Sequence, residues 1–194
     1  MVGNYMSLFS VRKMVFCVSR KVCIGEPLKM AIKRQKTAKK TCTVDISVVL
    51  DSIRSLHNLG SIFRTCDGAG VSKVYLCGIT GQPTDPKVAK TALGAEKTIP
   101  YEYKKHALTV VKDLKKQGYE VVSLELAKGS KRFDQVKYSP KTCFVIGNEV
   151  TGIRKSILKE SDNVVFIPMY GEKESLNVSV AFGIGIYGIV NQAR

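Results

Sequence analysis

The sequence has no tryptophan, two histidines (His57 and His106) and no cysteine pair at C-x-x-C spacing, although its 194 residues include six cysteines. Zinc sites built from Cys and His need such spacing, so we read the protein as binding no metal. The cysteines (Cys17, Cys23, Cys42, Cys66, Cys77, Cys143) are scattered, and the last three fall in apolar or mixed segments. That pattern predicts reduced thiols and a cytoplasmic protein rather than a disulfide framework. Long apolar runs are also missing. No stretch approaches the ~20 residues a membrane helix needs, so the chain is expected to be soluble. The opening MVGNYMSLFSVRKMVFCVSRK has basic residues breaking short apolar stretches and no clear small-residue cleavage site, which argues against a secretory signal. Its basic, acid-poor character is compatible with an organellar transit peptide, and Met6, Met14 and Met30 leave a later start open.

Acidic residues are nearly absent from the first 42 positions, where Glu26 stands alone against ten Lys or Arg. This segment therefore carries a net +9 of the chain's +15. A basic arm on a mildly basic globule suits a polyanion, because each neutralised phosphate releases counterions. We read residues 1–42 as a basic N-terminal extension and residues 43–194 as one globular domain. Lys33, Arg34, Lys36, Lys39 and Lys40 are candidate RNA contacts, with a solvated tail as the plain alternative.

From Val44 onward, short β-branched runs alternate with helical patterns. DISVVLD reads as a buried strand, and Leu59, Ile62, Phe63 and Cys66 then recur on one helix face until DGAG. SKVYLCG is a second strand. In DPKVAKTALG, Pro86 marks a helix start and Gly94 its end, and KTIPY reads as a short extended piece. Lys104 to Gln117 reads as a helix closed by Gly118, followed by the strand YEVVSLEL. TCFVIG and NVVFIPM are further strands, separated by a short helix around IRKSILKE. The alternation predicts an α/β fold with a mainly parallel sheet flanked by helices. The segment NVSVAFGIGIYGIV is ambiguous: its large apolar residues alternate as in a strand, while Ala181, Gly185 and Gly188 line up as a smooth helix face.

Gly183, Gly185 and Gly188 spell G-x-G-x-x-G, but a dinucleotide site needs a preceding first strand and an acid about 20 residues later, and the sequence stops at Arg194. We reject that match. Three other polar, Gly-containing segments each follow a strand. The first is HNLGSIFRT, in which Asn58, Ser61, Arg64 and Thr65 fall opposite the apolar helix face. The second is VIGNEVTGI, with Gly147, Asn148, Glu149 and Gly152. The third is IPMYGEKESLNVSVA, with Ser175 and Asn177, either of which could serve as a helix N-cap. Ligands of parallel sheets bind beyond the carboxyl ends of the strands, so the three segments predict one composite pocket at one sheet edge.

In these three segments the sequence resembles the SpoU (TrmH-like) branch of the SPOUT methyltransferases, which methylate ribose 2'-hydroxyls of tRNA or rRNA with S-adenosylmethionine. Asn58, Gly60, Arg64 and Thr65 match the family's Asn-x-Gly-x-x-x-Arg-Thr; Gly147, Glu149 and Gly152 match its Gly-x-Glu-x-x-Gly. Ile167, Pro168, Met169, Gly171 and Ser175 to Ser179 match the third motif, in the family's order. The resemblance covers about Val44 to Asn191. It implies a C-terminal trefoil knot, a final segment that is helical, and a homodimer whose tight packing the Ala181, Gly185, Gly188 face would suit. It implies cofactor contacts at Gly147, Ile167, Met169 and Leu176, and catalytic or substrate-ordering roles for Asn58, Arg64, Glu149, Ser175 and Asn177.

Arg64 matches the position the family assigns as base. A free guanidinium is protonated at ordinary pH, so that role needs a hostile site. The competing role is a charged Arg64 that grips a phosphate and stabilises a developing alkoxide. Glu149 is expected to orient Arg64 or a substrate hydroxyl, or to serve as an acid at a helix N-terminus. The arm is short for the separate RNA-binding domain many rRNA-modifying relatives carry, which favours tRNA over rRNA. Two other functions compete: a non-catalytic RNA-binding protein that kept the fold, and a base methyltransferase of the wider superfamily.

Overall fold

The computed structural model describes residues 44–193, so Lys33, Arg34, Lys36, Lys39 and Lys40 lie outside the described residues. Seven strands form one sheet: β1 (Asp45–Asp51), β2 (Lys73–Cys77), β3 (Tyr101–Lys104), β4 (Glu120–Leu124), β5 (Lys131–Arg132), β6 (Lys141–Ile146) and β7 (Asn163–Phe166). Their order is β3-β2-β1-β6-β4-β7-β5, and every pairing is parallel. Parallel strands are covered on both faces, which is why DISVVLD is apolar without alternating. In β1, Ile46, Val48 and Leu50 feed one core layer and Val49 the other.

Helices α1 (Leu56–Ala69), α2 (Pro86–Ala92), α3 (Ala95–Thr98) and α6 (Val178–Ala193) cover one face. Helices α4 (Ala107–Lys116) and α5 (Lys155–Leu158) cover the other. α1 starts where the Ser55 hydroxyl accepts the Asn58 N–H, and it ends at Gly70, whose φ of 70° fits the left-handed C-cap. Its buried residues include Leu59, Ile62, Phe63 and Cys66. Cys66, Cys77 and Cys143 are free and buried, and burial pushes all three thiols up, Cys77 to about 12.

Several boundaries differ from the sequence reading. Lys104 closes β3 instead of opening a helix, because Tyr101 to Lys104 pair with β2 and His106 is still extended; α4 begins at Ala107. Lys97 and Thr98 belong to the single turn α3, so only the end of KTIPY is extended. α2 stops at Ala92 and Leu93, at φ 52°, takes the left-handed cap expected of Gly94. The two-residue β5 is too short to carry a sequence pattern.

The ambiguous segment is the helix α6. Its Phe182 stacks on Phe144 of β6 with ring centroids 5.8 Å apart. A Cβ at Gly185 would stand 2.7 Å from the Phe144 ring, and one at Gly188 2.8 Å from that of Phe133. Gly185 and Gly188 are thus spent on packing within the chain, while Ala181 lines a cavity beyond the carboxyl ends of β4, β6 and β7.

Candidate active site

β1 and β6 are adjacent, with Leu50 opposite Ile146, so the turns leaving their carboxyl ends, Ser52 to Ser55 and Gly147 to Arg154, lie side by side. β4 and β7 follow next in the sheet. Beyond the ends of β4, β6 and β7 opens a cavity of about 810 Å³ lined by residues that include Leu124, Glu125, Gly147, Glu149, Ile167, Met169, Ser175 and Leu176. All four residues expected at the cofactor, Gly147, Ile167, Met169 and Leu176, line this one space. A shallower recess of about 400 Å³, formed by Arg54, Ser55, Asn58, Glu149 and Val150, shares Glu149 and Val150 with it.

Glu149 stands where the two spaces meet. Its Oε2 accepts the Arg54 N–H at 3.2 Å, and its Oε1 accepts the Ser55 N–H at 3.3 Å and Asn58 Nδ2 at 3.2 Å. Desolvation opposes its charge, but these bonds and one from its own backbone outweigh that and hold the carboxyl below its ordinary value. Glu149 therefore serves the N-terminus of α1, not that of its own following helix, and it touches Asn58 rather than Arg64. Asn58 is gripped from its other side too, since Asn177 Nδ2 donates to Asn58 Oδ1 at 3.2 Å. Asn177 meanwhile caps α6: its Oδ1 accepts the Ser179 N–H at 2.9 Å and hydroxyl at 2.7 Å. One residue from each of the three motifs thus joins a single chain of hydrogen bonds.

The other expected residues are placed differently. Arg64 is exposed, lines neither space, and pairs with no acid among the described residues. The hydroxyls of Ser61 and Thr65 donate to the carbonyls of His57 and Ser61, one turn back, each at 3.0 Å. Ser175 is exposed on the cavity wall and does not cap α6, the place Asn177 takes.

A model of the SpoU rRNA Methylase family matches residues 45–187. The chain belongs to that family. Among SpoU relatives, the tRNA (guanosine(18)-2'-O)-methyltransferase of Aquifex aeolicus is 33% identical over 160 residues, covering 82% of this chain and 75% of that one. The 23S rRNA (guanosine(2553)-2'-O)-methyltransferase RlmP of Bacillus subtilis is 29% identical, over 83% of this chain and 64% of its own length. The crystal structure of the A. aeolicus TrmH/SpoU tRNA modifying enzyme superposes with a TM-score of 0.72 at 31% identity, covering 84% and 83% of the two chains. That of an AdoMet-bound rRNA methyltransferase from Sinorhizobium meliloti gives 0.67 at 29% identity, over 74% of this chain and 55% of that one. The chain thus spans less than two thirds of the B. subtilis and S. meliloti proteins.

The chemistry of the SpoU cavity fits S-adenosylmethionine. Its lining includes the apolar Leu124, Leu126, Ile146, Ile167, Met169 and Leu176, a surface for a purine ring, and three carboxylates, Glu125, Glu149 and Glu174. No Lys or Arg is among the lining residues, which suits a ligand carrying a sulfonium and an ammonium. Its volume lies in the ordinary range for small-molecule sites. Among the described residues no group of His, Cys, Asp and Glu is arranged to hold a metal, and no helix is long and apolar enough to cross a membrane.

Reading the sequence alone missed Glu125, Asp51 and Arg154 near this cavity, and picked out Asn148 without giving it a role. Glu125 had one signal: it is a charged residue near the carboxyl end of YEVVSLEL, where ligands of parallel sheets bind, and the observed strand stops just before it at Leu124.

Proposed function

We propose that the chain transfers the methyl group of S-adenosylmethionine to a ribose 2'-hydroxyl of structured RNA, tRNA in preference to rRNA. The observation that carries this reading is the Glu149–Asn58–Asn177 chain of hydrogen bonds, which ties all three motif segments together at the mouth of a cavity free of cationic side chains. The cofactor, when bound, supplies an electrophilic methyl on sulfur. Gly147, Ile167, Met169 and Leu176 would hold it, and Ser175 would stand on the same wall. Asn58, fixed at both ends of its amide, orders the recess in which the target ribose would sit. A group fixed in this way adds to rate by positioning, because orientation is a large share of the barrier to methyl transfer.

Arg64 is best read as a charged phosphate contact rather than the base, a role supported by its exposure outside both spaces. The basic arm at residues 1–42, with Lys33, Arg34, Lys36, Lys39 and Lys40, would supply phosphate contacts of its own, in addition to those of the catalytic domain at 43–194. The knotted threading and a cytoplasmic homodimer belong to the same proposal. The dimer is supported by Val180, Ile184 and Tyr187, which repeat at i, i+4 and i+7 on α6 and are 50%, 36% and 43% exposed.

The test incubates the full chain with labelled S-adenosylmethionine and unmodified tRNA or rRNA transcripts, then maps 2'-O-methylated nucleosides by mass spectrometry. Ribose methylation of either RNA is expected. Base methylation would point to a base methyltransferase of the wider superfamily, and no cofactor binding would favour a pure RNA-binding module. In the same assay Arg64→Lys should keep much of kcat with an unchanged pH profile; a lost basic limb would return the base role to Arg64.

A further inference from the structure

The loop carrying Glu149 has little to hold its tip in place: Glu149 is exposed, and Val150 is 78% exposed. Ile153 anchors the end of the loop in the core, but apolar burial does not reach the tip, whose register depends on polar ties at the base. Three are present. Asn148 Nδ2 donates to the Ser52 carbonyl at 2.8 Å, while Asn148 Oδ1 accepts the N–H groups of Val150 and Thr151 and closes the loop on itself. Glu125 Oε2 accepts the Ile153 N–H at 2.8 Å. The third tie is the strongest in kind. Arg154 closes on Asp51 as a two-pronged pair, Nε to Oδ2 at 2.8 Å and Nη2 to Oδ1 at 2.7 Å, and Asp51 is 3% exposed at the end of β1.

What the pair joins is informative. Asp51 precedes Ser52, which adopts a φ of 66° and donates its hydroxyl to Asp51 Oδ1 at 3.2 Å. This left-handed residue starts the turn that presents the Arg54 and Ser55 N–H groups to Glu149. Arg154 ends the loop that brings Glu149 to meet them. The pair therefore spans 103 residues of sequence to lock together the two turns whose meeting forms the Glu149–Asn58 contact.

We propose that Arg154 and Asp51 are a positioning pair for Glu149, holding its loop in register over the start of α1; this rests on the methyl-transfer reading above. Neither residue is among those lining the cavity or the recess. The guanidinium fork fixes direction as well as distance, which a lysine at the same place does not. The cofactor side of the loop has its own anchor in Gly147, continuous with β6, so the pair governs the register of Glu149 more than the grip on the cofactor.

The test compares the full chain with Arg154→Lys, Arg154→Gln and the double variant Asp51→Asn/Arg154→Gln. Amide hydrogen exchange at Arg54 and Ser55 is followed with kcat, the thermal midpoint and the Kd for S-adenosylmethionine. Arg154→Lys keeps Asp51 compensated, so its midpoint should stay near wild type while exchange at those two amides speeds about tenfold. Its kcat should fall by up to about 10²-fold, the scale of a misplacement near 1 Å, with the cofactor Kd changed less than about threefold. Arg154→Gln leaves a buried charge alone and should lower the midpoint; the double variant removes that charge and should recover the midpoint without recovering kcat. Unchanged exchange at Arg54 and Ser55 in Arg154→Lys, or kcat recovering with the midpoint in the double variant, would overturn the proposal. A wild-type chain inactive on every RNA strikes the methyl-transfer reading alone, because the exchange comparison judges the pair without any substrate.

Discussion

Replacing Glu149 by Gln separates positioning from proton transfer. The carboxylate accepts from three donors, two on Oε1 and one on Oε2. A glutamine can keep the two contacts at Oε1, which turns its NH₂ toward the Arg54 N–H, donor against donor. One charge-assisted bond is lost at a site that water reaches, so the stability cost is about 1 kcal/mol, or about 2 to 4 °C in the midpoint of a domain this size. Asn58 keeps its bond but loses a charged partner, and kcat should fall about tenfold; Glu149→Ala, which frees Asn58 on that side, should lose up to about 10²-fold. The pH dependence sharpens the test. Because the native carboxyl sits below its ordinary value, its contribution to stability is present above the unfolded carboxylate range and is lost only as pH falls through the lowered native value. Glu149 is then ionised throughout about pH 5 to 9, and any limb of the wild-type rate profile in that window belongs to another group, so Glu149→Gln should retain it. The assay is single-turnover methylation across that range. A loss beyond about 10³-fold together with disappearance of the acid limb would show Glu149 to be a general base and refute the reasoning.

Gly60→Ala tests the packing behind the first motif: a Cβ there would run into Thr91 Oγ1 and the backbone carbonyl of Val88 on α2. Moving a helix backbone costs about 1 to 3 kcal/mol, so thermal denaturation should show a clear drop in the midpoint. Cys66, Cys77 and Cys143 should resist maleimide in the native chain and react after denaturation, as peptide mapping will show; native labelling at any of them would contradict their burial. If the proposed dimer forms through the exposed apolar row of α6, Ile184→Glu should shift the chain to monomer in sedimentation with little change in its own midpoint, and an unchanged sedimentation profile would remove that face from the proposal.

Much of the fold was legible because burial on both faces leaves a plain mark: DISVVLD is a strand in the structure as in the sequence reading, and SKVYLCG and TCFVIG match the strands KVYLC and KTCFVI apart from their end residues. The three motif segments were readable as ligand loops because each follows such a strand. Residues fixed by long-range partners were not readable. Asp51 looks like the polar end of a strand until Arg154 reaches it, and Asn177 looks like a cap, which it is, until Asn58 shows its second use. Arg64 showed the opposite limit, since its motif position suggested the centre of the site and its helix phase carries it out of the lining. The GIGIYG stretch could not be assigned locally because Gly185 and Gly188 answer to Phe144 and Phe133, aromatic rings 41 and 55 residues earlier in the chain.

The hydrogen bonds that define the site close loops of 91, 95 and 119 residues. Contacts of such span require the non-local pairing of β1 with β6, and non-local pairings are the slow ones in folding. Activity is therefore a readout of completed topology: a refolding chain should regain its helical signal before its methyltransferase activity, and the interval between the two measures how long the sheet takes to bring β1 against β6.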